Sequence, residues 1–222
     1  SRVLGDRSTW AVTAQFVNYG TMKETTSENI ITGTFSAKDM AFSGIYSYDL
    51  SDYWSGGVKA NLIYSNYDKF SSFAIGVDLG LYYHQNSDFS FSMVARNLGG
   101  QIVAFEDKRE KLPVDVQVGI TKRLSHAPFR ISATLYNLTD WKNSKFFDHA
   151  VIGMDFLPTD NFYVSLGYNF RRTNEMKVAD SSHWAGFTAG AGLQIKRFKL
   201  GAAYAKYHLS TSSLLFNLSM TL

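Results

Sequence analysis

The chain contains no cysteine, and only three of its 222 residues are proline. Without cysteine there is no disulfide framework and no thiolate metal site, although this alone does not choose a compartment. Excess charge of one sign is also lacking. Twenty-two Lys and Arg against nineteen Asp and Glu leave a formal net charge of +3, too little and too scattered for a nucleic-acid surface. No uncharged apolar run approaches the ~20 residues that a membrane-spanning helix needs. No composition shift marks a domain boundary, so residues 1–222 read as a single domain.

What is present is alternation. The chain is 45% hydrophobic and 15% aromatic, yet its apolar residues come singly, every second position. In the stretch Lys111–Leu138, Val114, Val116, Val118 and Ile120 alternate with Asp115, Gln117, Gly119 and Thr121. After a turn at Ser125–Pro128, Phe129, Ile131, Ala133 and Leu135 alternate with Arg130, Ser132, Thr134 and Tyr136. Successive strand side chains point to opposite faces, so this is a β-hairpin with one apolar side. The pattern repeats along the chain and predicts about twelve strands of roughly 10–14 residues, the length of a tilted transmembrane strand. They fall near 9–19, 39–50, 54–65, 71–84, 88–98, 114–124, 129–139, 148–157, 161–171, 184–196, 198–208 and 213–222. A soluble β-sandwich explains alternation but not strands this long or this many.

The connections alternate as well. Short turns are expected at Leu50–Tyr53, Gln85–Asp88, Leu124–Pro128, Pro158–Asn161 and Lys196–Lys199, and mostly longer loops between, at Gly20–Lys38, Gly99–Leu112, Asp140–Asp148 and Arg172–His183. Short turns at one end and long loops at the other are the pattern of an all-β, antiparallel transmembrane β-barrel of the bacterial outer membrane. The short-turn end is then periplasmic, with Trp10 and Trp54 near that rim and Trp141 and Trp184 near the outer one. Lipid cannot pair with charge, so the apolar faces turn outward and the mixed faces line the lumen. That places Lys59, Asp78, Arg96, Asp115, Arg130 and Asp155 inside, on six successive strands and with alternating sign. We expect them to pair across the wall. Gly76, Gly80, Gly186, Gly190 and Gly192 leave room inside, either for a plug or simply for strand crowding.

Catalytic chemistry finds little support. Of His84, His126, His149, His183 and His208, none has a nucleophile and a third orienting group at a telling spacing. Asp148–His149, read as strand residues, would sit on opposite faces. No paired-His metal spacing and no phosphate-binding Gly-rich loop occurs, so neither a cofactor nor an enzyme is expected. Charge concentrates at Glu106, Asp107, Lys108, Arg109 and Glu110, and again at Arg171, Arg172 and Glu175 in an expected loop over 171–180. Such runs are usually solvated faces, but on a barrel the loops carry function.

Particular blocks carry a resemblance. Val94–Gln101 (VARNLGGQ), Lys111–Leu138 (KLPVDVQVGITKRLSHAPFRISATLYNL), Val17–Met22 (VNYGTM), Gly33–Tyr48 and Tyr163–Phe170 (YVSLGYNF) resemble the PorQ family of type IX secretion outer-membrane proteins of Bacteroidota. That family is in turn similar to PorV and to FadL-type fatty acid transporters. The resemblance implies a fourteen-stranded barrel with an N-terminal plug, of which the abrupt start at Ser1 would omit the plug and the first hairpin. It also implies a non-enzymatic role in the cell-surface attachment complex: tethering a surface protein of the PorZ type, alongside the sortase PorU and the barrel PorV, in contact with membrane lipids. The alternative is a FadL-type transporter of long-chain fatty acids or other hydrophobic ligands. A TonB-dependent receptor, hinted at by Asn137–Asp140, needs about 22 strands and does not fit this length.

Overall fold

The structure is a computed structural model. It describes residues 2–4, 6–85, 88–105, 109–141, 145–176, 184–206, 208 and 211–220. Thirteen antiparallel strands follow one another in sheet order, each hydrogen-bonded to the next. They are β1 (Arg2–Leu4), β2 (Ser8–Thr25), β3 (Ile31–Asp49), β4 (Trp54–Tyr67), β5 (Phe70–Gln85), β6 (Phe89–Val103), β7 (Asp115–Arg123), β8 (Phe129–Leu135), β9 (Ala150–Thr159), β10 (Phe162–Asn169), β11 (Phe187–Ile195), β12 (Phe198–Ala205) and β13 (Ser213–Met220). A 3-10 turn, Phe146–His149, precedes β9, and a short helix α1, Phe170–Glu175, follows β10. The chain packs as two compact units, Ser1–Tyr82 with Val94–Asp115, and Tyr83–Met93 with Val116–Leu222.

The burial of the strands is inverted relative to a protein folded in water. In β3, Phe42 is 53% exposed while its neighbour Ser43 is 3% exposed. Across β2 to β5 the exposed face carries Val12, Phe16, Met40, Phe42, Tyr46, Val58, Leu62 and Leu79, and the buried positions include Ser43, Asn61, Ser72 and Asp78. The second unit does the same, exposing Ile120, Ile131, Ile152, Met154, Leu166, Leu200, Phe216 and Leu218. Among the described residues the buried apolar positions are all alanine: Ala37, Ala74, Ala150, Ala185 and Ala205. Each large apolar side chain left in water forgoes about 1.5–3 kcal/mol of burial. Summed over two whole faces, that loss exceeds the stability of any ordinary domain. The apolar face therefore has lipid as its solvent. No described helix is long and apolar enough to cross a membrane; the strands do the crossing.

Three expectations need correction. The loop expected at Gly20–Lys38 is mostly strand: β2 continues to Thr25, β3 starts at Ile31, and Thr21 to Thr25 pair with Ser36 to Ile31. The turn is closed by Thr26 N–H donating to the Ile30 carbonyl, with Asn29 in the left-handed region at φ 62°. Beyond Ala37, which pairs with Tyr67 at the end of β4, this ribbon has no β4 partner. A ribbon with water on both sides has no reason to alternate, so its sequence looked like loop. Secondly, β6 runs on to Val103, shortening the loop expected over 99–112. Thirdly, the strand expected to reach Arg171 stops at Asn169, whose side chain accepts the Arg172 N–H and so caps α1. Asp148 and His149 likewise lie in the 3-10 turn and not on a strand. The three-residue β1, paired to Ser8–Trp10, was too short for alternation to show.

A cationic substitution on the lipid face tests the inversion. Phe42→Arg is expected to cost about 2–4 kcal/mol, the range for a cation near the bilayer midplane. A lowered urea midpoint of tryptophan fluorescence in lipid vesicles would report it, and an unchanged midpoint would refute the orientation.

Candidate functional site

The buried polar faces are cross-linked by side chains, separately in each unit. In the first, Ser43 Oγ donates to Asn61 Oδ1 at 2.8 Å, and Asn61 Nδ2 donates to Asp78 Oδ2 at 3.1 Å. Asp78, only 9% exposed, also accepts the Asn97 backbone N–H at 2.8 Å and lies 3.9 Å from Lys59 Nζ. Three strands, β3 to β5, are thereby joined to β6. Asn97 takes a left-handed conformation, φ 60°, and donates its side-chain N–H to the Pro113 carbonyl at 2.9 Å. Next to it, Gly99 lies against the Ile75 carbonyl, where a Cβ would collide with backbone. The RNLGG segment is thus shaped to bring a backbone donor to Asp78.

In the second unit Arg130, Asp155 and Ser165 are direct register partners across β8, β9 and β10. Arg130 Nε donates to Asp155 Oδ2 at 2.7 Å, and Ser165 Oγ donates to the other carboxylate oxygen. Arg123, the register partner of Arg130, reaches Asp160 at 3.6 Å. Beside this row lies a cavity of ≈ 550 Å³. Its polar lining includes Arg130, Lys199, Asn217 and Ser219 and also the carboxylate of Asp160, and its bare or apolar lining includes Gly190, Gly201, Ala203 and Leu215.

Of the six charges expected to pair, the structure brings Lys59 to Asp78 and Arg130 to Asp155. Arg96 is exposed on β6, with no ion pair among the described residues; Asp115 opens β7, half-buried. Two of the expected roomy glycines are filled from within the chain: Gly192 lies under the Tyr163 ring, and a Cβ on Gly76 would meet Leu112 at 3.0 Å. In the charged connection, Glu106, Asp107 and Lys108 lie outside the described residues. Arg109 and Glu110 are exposed, and the Glu110 N–H donates to Gln101 Oε1 at 2.8 Å. Arg171 and Glu175 form a 2.6 Å ion pair one turn apart in α1, with Arg172 beside them in the helix. Ser182 and His183 also lie outside the described residues.

Sequence reasoning missed the collar at the long-loop end of the second unit. His149 is fully buried; its Nδ1–H donates to the Tyr136 carbonyl at 2.9 Å, and its ring lies 4.2 Å from that of Trp141. Tyr136 Oη donates to Asn169 Oδ1 at 3.1 Å, and Thr173 Oγ1 to the Ala185 carbonyl at 2.7 Å. Asp148 accepts the Lys145 N–H at 2.8 Å and a side-chain N–H of Asn174, tying the 3-10 turn to α1. Gly186, at φ 95°, fits against Asn169 and Thr173 where no Cβ would. The clue available was Asn169 three residues before Arg172, an N-cap signature. Among the described residues, no group of His, Asp and Glu could hold a metal ion.

No protein-family profile and no curated protein matches the chain. Solved structures do. The toluene transporter TodX of Pseudomonas putida is similar over 91% of this chain and 74% of its own, with a TM-score of 0.55 at 10% identity. A FadL homologue of Pseudomonas aeruginosa is similar over 96% of this chain and 68% of its own, again with a TM-score of 0.55 at 10% identity.

The fold is that of an antiparallel transmembrane β-barrel, similar to these two structures.

In such a barrel the exposed apolar face meets lipid and the polar face is the interior wall. Among the described residues that wall carries two pairs of opposite sign, Lys59–Asp78 and Arg130–Asp155. It offers binding surface and rigidity.

Two predictions follow from these contacts. Asp78→Ala leaves the Asn97 N–H and Asn61 Nδ2 without an acceptor and should lower stability by about 2–3 kcal/mol; an unfolding midpoint equal to the parent's would show that the contacts are idle. In the collar, the Lys145 N–H first, then Asn174, holds the Asp148 carboxyl below the usual carboxylate range. The folded form thus binds a proton less readily than the unfolded one. Its stabilising contribution is present above the ordinary carboxylate range and is lost as pH falls through the lowered value. Protease nicking of the collar should increase on acidification, and Asp148→Asn should remove that pH dependence.

Proposed function

We propose that this chain is the wall of a non-enzymatic outer-membrane barrel that carries a hydrophobic ligand. The fold likeness supports this reading, since the similar structures include a toluene transporter and a FadL homologue. The carrying observation is the cavity on the polar face of the second unit, where Arg130 and Lys199 stand beside Gly190, Gly201, Ala203 and Leu215. Arg130 is engaged by Asp155, so Lys199, beside bare, apolar wall, is the cation that suits an amphipathic anion such as a long-chain fatty acid: the carboxylate finds its charge and the alkyl chain finds surface without side chains.

A second reading rests on the chain's own blocks, above all Lys111–Leu138, which resemble the PorQ family of type IX secretion. Here the barrel holds a PorZ-type surface protein at the outer membrane of a Bacteroidota cell, with PorU and PorV in the same complex. The paired charges of the wall favour a structural barrel, and the ribbon beyond Ala37 extends outside the span that the lipid face requires. Its contact set would be this ribbon together with Glu106, Asp107, Lys108, Arg109 and Glu110 and with Arg171, Arg172 and Glu175. Exposed ion pairs contribute at most about 1 kcal/mol each, so binding would be spread over the set.

Native extraction separates the two. Full-length protein is withdrawn from outer membranes in mild detergent, and its bound proteins and lipids are identified. Fatty acid or a related lipid at near one per barrel, lost in an Arg130→Met, Lys199→Met variant that still folds, supports carriage. A surface protein at one per barrel with no bound lipid overturns carriage and supports attachment.

A further inference from the structure

We propose that the collar of the second unit is seated on the outer leaflet of the membrane, with Phe146, Phe147 and Trp184 inserted among the lipids. This inference rests on the membrane-spanning reading of the strands but on neither choice of cargo or partner.

The collar carries an unbroken run of rings that begins on the lipid face itself. Tyr168 shares the face of Phe162 and Leu166, both exposed to lipid on β10. Its ring centre is 5.0 Å from that of Phe170, at the start of α1, and Phe170 is 6.1 Å from Phe147. Phe147 is 5.8 Å from Phe146, edge to face. On the other side, Tyr168 is the register partner of Phe187 on β11, whose ring is 6.1 Å from that of Trp184. The lipid-facing surface therefore continues off the strands onto the 3-10 turn and the segment before β11.

No described residue covers these rings. Phe147 is 64% exposed and Trp184 is 76% exposed. Nor are they free to fold away. His149, Tyr136, Asn169, Thr173 and Asn174 hold the backbone beneath them through the hydrogen bonds of the collar. The height is set as well. β9 has ten residues and β10 eight, close to the 9–11 that a tilted strand needs to cross the apolar core. Strands of that length end at the interface and cannot lift the collar clear of it. Aromatic rings are favoured at that depth, where an apolar body meets hydrated headgroups. Water would leave the rings unsatisfied, whereas the leaflet covers them with the same solvent that covers Leu166.

The absence of cysteine makes the test direct, because an introduced thiol is unique in this chain. Phe147→Cys, Trp184→Cys and, as a reference, Glu175→Cys are labelled with a nitroxide in phosphatidylcholine vesicles. Collision with oxygen, which concentrates in lipid, is compared with collision with a neutral nickel chelate, which stays in water. Labels at 147 and 184 should favour oxygen several-fold over the label at 175. A label at 147 that matches 175, or that neither probe reaches because protein covers it, overturns the proposal. A measurement on the native chain guards against misfolded variants: phosphatidylcholine brominated high on its acyl chains should quench tryptophan emission, and Trp184→Phe should reduce that quenching. Quenching unchanged by Trp184→Phe also overturns it.

Discussion

The constraint on which everything else depends is the satisfaction of backbone hydrogen bonds in a solvent that offers none. In lipid, each strand must give all its N–H and C=O groups to neighbours. The continuous antiparallel order does this for β3 to β12, each of which has a strand on either side. Once the backbone is paired, side chains sort by solvent: Phe42 and Leu62 go outward and Ser43 and Asn61 inward. The interior cannot then be an apolar core. It is held by the only contacts that polar side chains offer, hydrogen bonds and ion pairs in register across neighbouring strands. Ser43, Asn61 and Asp78 in one unit, and Arg130, Asp155 and Ser165 in the other, are two instances of that solution.

Much of this was legible in the sequence because period-two alternation is the direct record of two solvents on two faces. Where both solvents were present, as in 114–121 and 129–135, strand and orientation could be read residue by residue. Where only water was present the record vanished. The ribbon Thr21–Ser36 is as regular as any strand of the wall, yet Lys23, Glu24, Thr32 and Thr34 carry no facial bias. The collar was invisible for another reason: its contacts join Tyr136, His149, Asn169 and Ala185, residues too far apart in sequence for any local pattern to relate them. The charges of the wall were found as charges, but alternation cannot say which strand's carboxylate sits opposite which cation. Lys59 and Asp78 meet because their strands, β4 and β5, are neighbours in the sheet, and Asn61, on the same strand as Lys59, reaches the same carboxylate.

Fold and function separate in this molecule. A likeness at 10% identity reports a wall built to the same plan, and the wall alone does not choose a cargo. The ribbon and the collar are the places where the chain departs from regular alternation, as expected where residues answer to something other than the membrane.

The row Arg130–Asp155–Ser165 has a consequence for assembly. A hairpin in lipid has many alternative registers, and uncharged alternation barely distinguishes a slip of two residues from the native pairing, since both keep apolar side chains outward. A slip of one residue turns every side chain over and would carry the Arg130 guanidinium into lipid. A slip of two would keep it inside but leave it opposite Gly153 or Leu157 in place of Asp155, an unpaired charge within the wall. The ion pair therefore acts as an index mark on strands that are otherwise interchangeable, and its worth lies in excluding wrong barrels more than in stabilising the right one.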